Sequence, residues 1–117
     1  MSNLRRVGRE AEDRAAGHLL DLGYTIVTRR FKGAGGEIDL VALDGDTLVI
    51  VEVKSTRTAF RRAEAGLDDR KARRLAAVAD EYLHKFALHD RHLRYDLIAI
   101  DRDGLRHHID AFRPEAR

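Results

Sequence analysis

Apolar residues recur along this chain with two different periods. From about Leu4 to Leu22 they fall at Leu4, Val7, Ala11, Ala15, Leu19 and Leu22. Spacings of three and four predict a helix with one buried stripe, and Gly23 is placed to stop it. Tyr24 to Thr28 is rich in β-formers and predicts a strand, whereas Arg29 to Gly36, with three glycines, predicts a loop. Glu37 to Leu43 and Thr47 to Lys54 predict two further strands joined by a turn at Asp44-Gly45-Asp46. Ser55 to Gly66 is polar, basic and aperiodic, a mobile loop. A second helix is expected from about Asp68 to Leu88, with Leu75, Val78, Ala79, Tyr82, Leu83 and Phe86 as its stripe. Tyr95 to Ile100 and Leu105 to Phe112 then predict two strands around a turn at Asp101 to Gly104. The order α-β-β-β-α-β-β makes an α/β class protein, a mixed sheet with helices packed on it.

Two of these strands carry charge where core is expected. Leu48, Ile50, Glu52 and Lys54 share one face of the third strand, opposite Val49, Val51 and Val53. Both faces begin apolar, so the strand is central and its two terminal charges must pair or bind a metal. In the second strand Glu37, Asp39, Val41 and Leu43 are expected on one face, with Ile38, Leu40 and Ala42 on the other. Turn length decides whether Asp39 and Glu52 meet. A loop from Asp44 to Thr47 pairs Leu43 with Leu48 and sets Asp39 opposite Glu52. A two-residue Asp44-Gly45 turn keeps them on one face but out of step, and a three-residue loop without a bulge separates them. Joint burial of Leu43 and Leu48 favours the shared face. Two converging carboxylates suit Mg²⁺ or Mn²⁺, with Lys54 beside the ion to orient water or meet phosphoryl oxygens. A plain Asp39–Lys54 or Glu52–Lys54 ion pair would use the same residues.

Composition narrows the alternatives. With 117 residues and 44% hydrophobic content, one domain spanning 1–117 is expected. There is no cysteine, which excludes disulfides, a thiol nucleophile and Cys-ligated zinc. No stretch reaches the roughly 18 apolar residues of a membrane span, and Met1 to Arg9 lacks an apolar signal segment, so a cytoplasmic location is expected. The formal net charge is only +2, yet 36% of residues are charged. Arginines and lysines cluster at Arg29, Arg30 and Lys32 and again at Arg57, Arg61, Arg62, Lys71 and Arg74. Such clusters neutralise nucleic-acid phosphates or simply solvate a surface. Lys71 falls on the apolar stripe of the second helix, to reach the acidic cluster or a phosphate, or to snorkel. The six histidines lack zinc-site spacing, and capping or surface roles are expected of them. Gly33-Ala34-Gly35-Gly36 opens into a strand and so is no phosphate-cradling loop.

The run Gly36-Glu37-Ile38-Asp39-Leu40, a hairpin, then Val51-Glu52-Val53-Lys54 resembles the signature of the PD-(D/E)XK nuclease superfamily. More closely the chain resembles the small bacterial YraN family, itself considered similar to archaeal Holliday-junction resolvases. Gly8, Glu12, Gly23-Tyr24, Lys71, Tyr95-Asp96-Leu97 and His108-Ile109-Asp110-Ala111-Phe112 extend the likeness across nearly the whole chain. The resemblance implies a restriction-endonuclease-like αβββαβ core and a metal-dependent DNA endonuclease, with branched or single-stranded structures as its expected substrates. It implies Asp39 and Glu52 as metal ligands, the Val53 carbonyl as a third, and Lys54 as catalytic. A glutamate of the first helix commonly completes such sites. Glu12 lies at the edge of the buried stripe and Glu10 on the wet side, so Glu12 is expected. Glu37 is placed in solvent. Two positions depart from the family pattern: Arg30 stands where asparagine is usual, and Phe60-Arg61 where Phe-Gly is common. A non-catalytic DNA-binding or assembly subunit, and a nuclease acting on RNA, are the competing expectations. Branched DNA often requires two active sites, which a homodimer would supply.

Overall fold

The computed structural model describes residues 3–56, 63–66 and 68–114. Helix α1 (Asn3–Asp21) leads into β1 (Thr25–Gly33), β2 (Gly36–Asp44) and β3 (Thr47–Ser55). A single 3-10 turn (Ala63–Gly66) precedes α2 (Asp69–Lys85), which returns the chain to β4 (Leu93–Asp101) and β5 (Gly104–His108). The five strands lie side by side in sequence order. Only β3 and β4 run parallel, as they must when a helix carries the chain back across the sheet, and the other pairs are antiparallel. This is the expected α/β order, an αβββαβ core with one further strand. No helix among the described residues is long and apolar enough to cross a membrane.

Each helix covers one face. Ala11, Ala15, Ala16 and Leu19 of α1 are buried against Leu40, Ala42, Val49, Val51, Ile98 and Ile100. Leu75, Val78, Ala79 and Tyr82 of α2 are buried against Ile38, Val41, Leu48 and Ile50 on the opposite face. Asp68 caps α2 by accepting from the Lys71 N–H, which satisfies a donor the helix leaves open. The stripes are shorter than their periodicity predicts. Leu22 and Phe86 are about half exposed, since each lies past the end of its helix.

Several boundaries differ from those expected. Arg29 to Gly33 is not loop but the second half of β1, paired with β2 through Phe31↔Ile38 and Gly33↔Gly36. Tertiary contact explains the strand. The Phe31 ring meets Tyr82 edge-on at 5.0 Å, and the Glu81 carboxylate accepts from the Ala34 N–H at the tip. β5 stops at His108 instead of Phe112, because Asp110 turns to φ 56 and Ala111 N–H goes to the Tyr95 carbonyl. Of the expected Ser55 to Gly66 loop, residues 57–62 lie outside the described residues, and the end is the 3-10 turn. The β2–β3 turn pairs Leu43↔Leu48 and Asp44↔Thr47. That is the register which favours a shared site.

A candidate acidic site where two strands part

The β2–β3 ladder runs from Asp44↔Thr47 as far as Leu40↔Val51. Along β3 the backbone N–H groups of Leu48 and Thr56 go to the β4 side, to the carbonyls of His92 and Ile100. The odd-numbered residues therefore point toward β2, and Val53 is next in line for a ladder bond. It does not receive a backbone partner from the Leu40–Val51 ladder. Instead the Asp39 carboxylate turns into the gap and accepts from the Val53 N–H at 2.7 Å. In an extended strand N–H and C=O leave on the same side, so the Val53 carbonyl opens onto this gap too.

Asp39 reaches the gap because both neighbouring strands change face there. Leu40 packs on the α1 side, yet Val41 and Ile38 both pack on the α2 side. The expected alternation of Ile38 with Leu40 is broken at Asp39. β1 does the same. Thr28 and Phe31 both meet Tyr82 of α2, while Arg29 and Arg30 both reach α1. Arg30, bracketed by the pairs Arg29↔Leu40 and Phe31↔Ile38, stands against Asp39. It has φ 58, a left-handed backbone that rotates successive side chains out of alternation.

The charges are tightly coupled. Burial, then the charge of Glu52, raises the Asp39 carboxyl well above the usual carboxylate range. The Val53 hydrogen bond opposes that rise and Glu12 adds to it. Lys54 Nζ lies 3.3 Å from Glu52 Oε2, both side chains being half-buried. Glu12 is 8% exposed, as its place beside the α1 stripe predicts, and Glu10 is exposed. The Glu12 carboxylate is engaged by Arg30 Nε at 2.7 Å, with Arg29 at 3.9 Å. Among the described residues no three His, Asp or Glu side chains converge closely enough to hold a metal. The expected trio is thus incomplete. Asp39 and Glu52 are brought together, and Glu12 is nearby but occupied by arginine. Two hard carboxylate oxygens with the Val53 carbonyl are the donors an oxygen-seeking divalent ion prefers.

The basic residues divide. Arg29 is bound to Asp13 at 2.5 Å and Arg30 to Glu12, whereas Lys32 is exposed opposite Glu37. Glu37 is exposed, as expected. Lys71 and Arg74 are exposed, so Lys71 is not part of the buried stripe, which begins at Ala72. With Gly36, Glu37 and Glu52 they line a cavity of about 160 Å³. Arg57, Arg61 and Arg62 lie outside the described residues.

A second polar cluster is built on β4, where Asp96 pairs with Val51. Asp96 is fully buried and binds Arg94 at 2.9 Å, His107 at 2.8 Å and the Asp110 N–H. Arg94 goes on to Asp44 and to the Tyr24 hydroxyl, and His107 to His18. Burial pushes the Asp96 carboxyl up, but these three donors outweigh it and hold it down. His107 is therefore a buried partner, not the surface histidine expected. The signal was present in sequence as an aspartate immediately before the apolar run Leu97 to Ile100, with Arg94 two residues before it on the same face.

An αβββαβ sheet protein with a coupled acidic pair and a lysine at the point where two strands part is the class this fold defines. The chain matches the model of the uncharacterised protein family UPF0102 over residues 11–100, and it belongs to that family. A UPF0102 protein of Persephonella marina is 38% identical over 106 residues, covering 90% of this chain and 91% of its own. One of Dechloromonas aromatica is 44% identical over 99 residues, covering 84% and 81%. One of Geobacter sulfurreducens is 38% identical over 112 residues, covering 91% and 88%.

Proposed function

We propose that this chain is a metal-dependent endonuclease that hydrolyses DNA phosphodiester bonds, with branched or single-stranded structures as its preferred substrates. The observation that carries the reading is Asp39. It leaves its strand's alternation to lie beside Glu52 in a half-buried gap, an arrangement that is electrostatically unfavourable and that a purely structural role does not require. Asp39, Glu52 and the Val53 carbonyl would hold Mg²⁺ or Mn²⁺. When bound, such an ion supplies an activated water and stabilises charge developing on phosphorus.

The chain's own groups do the rest. Glu52 fixes the Lys54 ammonium within reach of a phosphoryl oxygen, where it offsets negative charge. Lys71 and Arg74, on the rim of the Glu52 cavity, are placed to hold a neighbouring backbone phosphate. Glu37 on the same wall repels a phosphate that enters out of register. One observation favours a second reading, a non-catalytic DNA-binding or assembly subunit: Glu12 is neutralised by Arg30 instead of standing open.

Cleavage of linear, flapped and four-way DNA in Mg²⁺ or Mn²⁺ tests both. Wild type is expected to cut, and Asp39→Ala and Lys54→Ala to lose at least about a hundredfold in rate. Cutting that persists unchanged in both variants would remove the assignment. Binding by wild type without cutting would move the conclusion to the second reading.

A further inference from the structure

Resting on that reading of the site, we infer that Arg30 is a latch on Glu12 which a nucleic-acid phosphate releases, so that nucleic-acid binding completes the metal site. Four observations meet at this residue. Its guanidinium binds the Glu12 carboxylate at 2.7 Å, while the neighbouring Arg29 is chiefly occupied by Asp13. The pair is lopsided: the Arg30 side chain is 40% exposed and that of Glu12 is 11% exposed. An anion can therefore approach the guanidinium from solvent, but the carboxylate has no outward escape. Arg30 also lies between the pairs Arg29↔Leu40 and Phe31↔Ile38, with a left-handed backbone at the place where both strands change face. Finally, no three acidic groups converge among the described residues as the chain stands.

The chemistry follows from what guanidinium prefers. It cannot lose its proton, and it binds phosphate in a planar two-point contact as readily as carboxylate. A backbone phosphate arriving over β1 competes with Glu12 for Arg30. Once the guanidinium turns outward, Glu12 is a buried anion left with only the longer Arg29 contact at 3.9 Å, close enough to be felt by Asp39. A divalent cation is then its most favourable partner. Phosphate and cation thereby assist one another, and a free chain holds the cation weakly. Arg30 is a positioning residue in this scheme and touches no reacting atom.

Calorimetric titration of Mn²⁺ into the free protein is the first measurement. Arg30→Asn is the variant, because asparagine tolerates the left-handed backbone; Arg30→Gly, which accepts φ 58 without strain, stands in if the first fails to fold. Either is expected to bind Mn²⁺ about fivefold or more tightly than wild type. In a Glu12→Gln background the same change should have no effect. The second measurement is fluorescence anisotropy of a labelled DNA duplex in Ca²⁺ and in EDTA. Wild type should bind more tightly in Ca²⁺, and Arg30→Asn should lose most of that difference. Equal Mn²⁺ affinity in wild type and Arg30→Asn, or a gain that survives Glu12→Gln, overturns the latch even if DNA is still cut. Failure of every form to bind either cation, with DNA or without, removes the nuclease reading and the latch together.

Discussion

The Asp39 carboxyl is held by one backbone N–H, faces Glu52 and is half-buried. Its raised pKa has a sign that can be worked through. The folded chain keeps the proton to higher pH than the unfolded chain, whose aspartates ionise near pH 4. The associated stability is fully present below that pH and is lost as pH rises through the folded value. Asp39→Asn keeps an oxygen to accept from Val53 and never ionises. In EDTA it should therefore gain on wild type as pH goes from 5 to 9, by on the order of 2 kcal/mol, since one unit of pKa displacement is about 1.4 kcal/mol. Urea melts at three pH values read this difference, and parallel curves would contradict it. Excess Mn²⁺ should reverse the ranking by binding wild type alone.

At the scale of elements, the β1–β2 hairpin is pinned to α2 through one glycine. A Cβ on Gly33 would lie 2.9 Å from both Glu81 Oε2 and Val78 Cγ1. Glu81 is already holding the Ala34 N–H, and Val78 is 1% exposed, so neither yields freely. Gly33→Ala should cost about 1–3 kcal/mol in a denaturant melt, as overpacking does. Gly35→Ala meets nothing within 4 Å and should be nearly neutral. Equal effects at the two positions would show that the hairpin tip does not rest on the helix. The three glycines of this hairpin look alike in sequence and read as a loop. The Gly33↔Gly36 pairing and the contact of Phe31 on Tyr82, distant in the chain, make two of them strand ends and leave Gly35 in the turn.

Across the whole molecule the two polar clusters are built on neighbouring strands, Asp96 pairing with Val51 and Leu97 with Glu52. The Asp39–Glu52 cluster is left electrostatically unresolved, whereas the Asp96 cluster is fully satisfied. Through Arg94 and His107, Asp96 ties α1, the β1 entry at Tyr24, the β2–β3 turn and β5 to β4. Asp96→Ala strands a half-buried guanidinium and a buried histidine, so a loss of about 3–5 kcal/mol is expected from a urea midpoint shift. A loss below about 1 kcal/mol would contradict a keystone role.

Periodicity was enough to read the element order, the start of α2 near Asp68, the inward place of Glu12 and the register that joins Asp39 to Glu52, because each depends on local spacing and on burying Leu43 with Leu48. Three things were not readable that way. The left-handed turn at Arg30, the paired face change that aims Asp39 at Val53, and the capture of Glu12 by Arg30 all arise where α1, β1 and β2 meet. Alternation assumes an undistorted strand, and only packing against both helices at once makes the distortion at Arg30 and Asp39 the lower-energy arrangement.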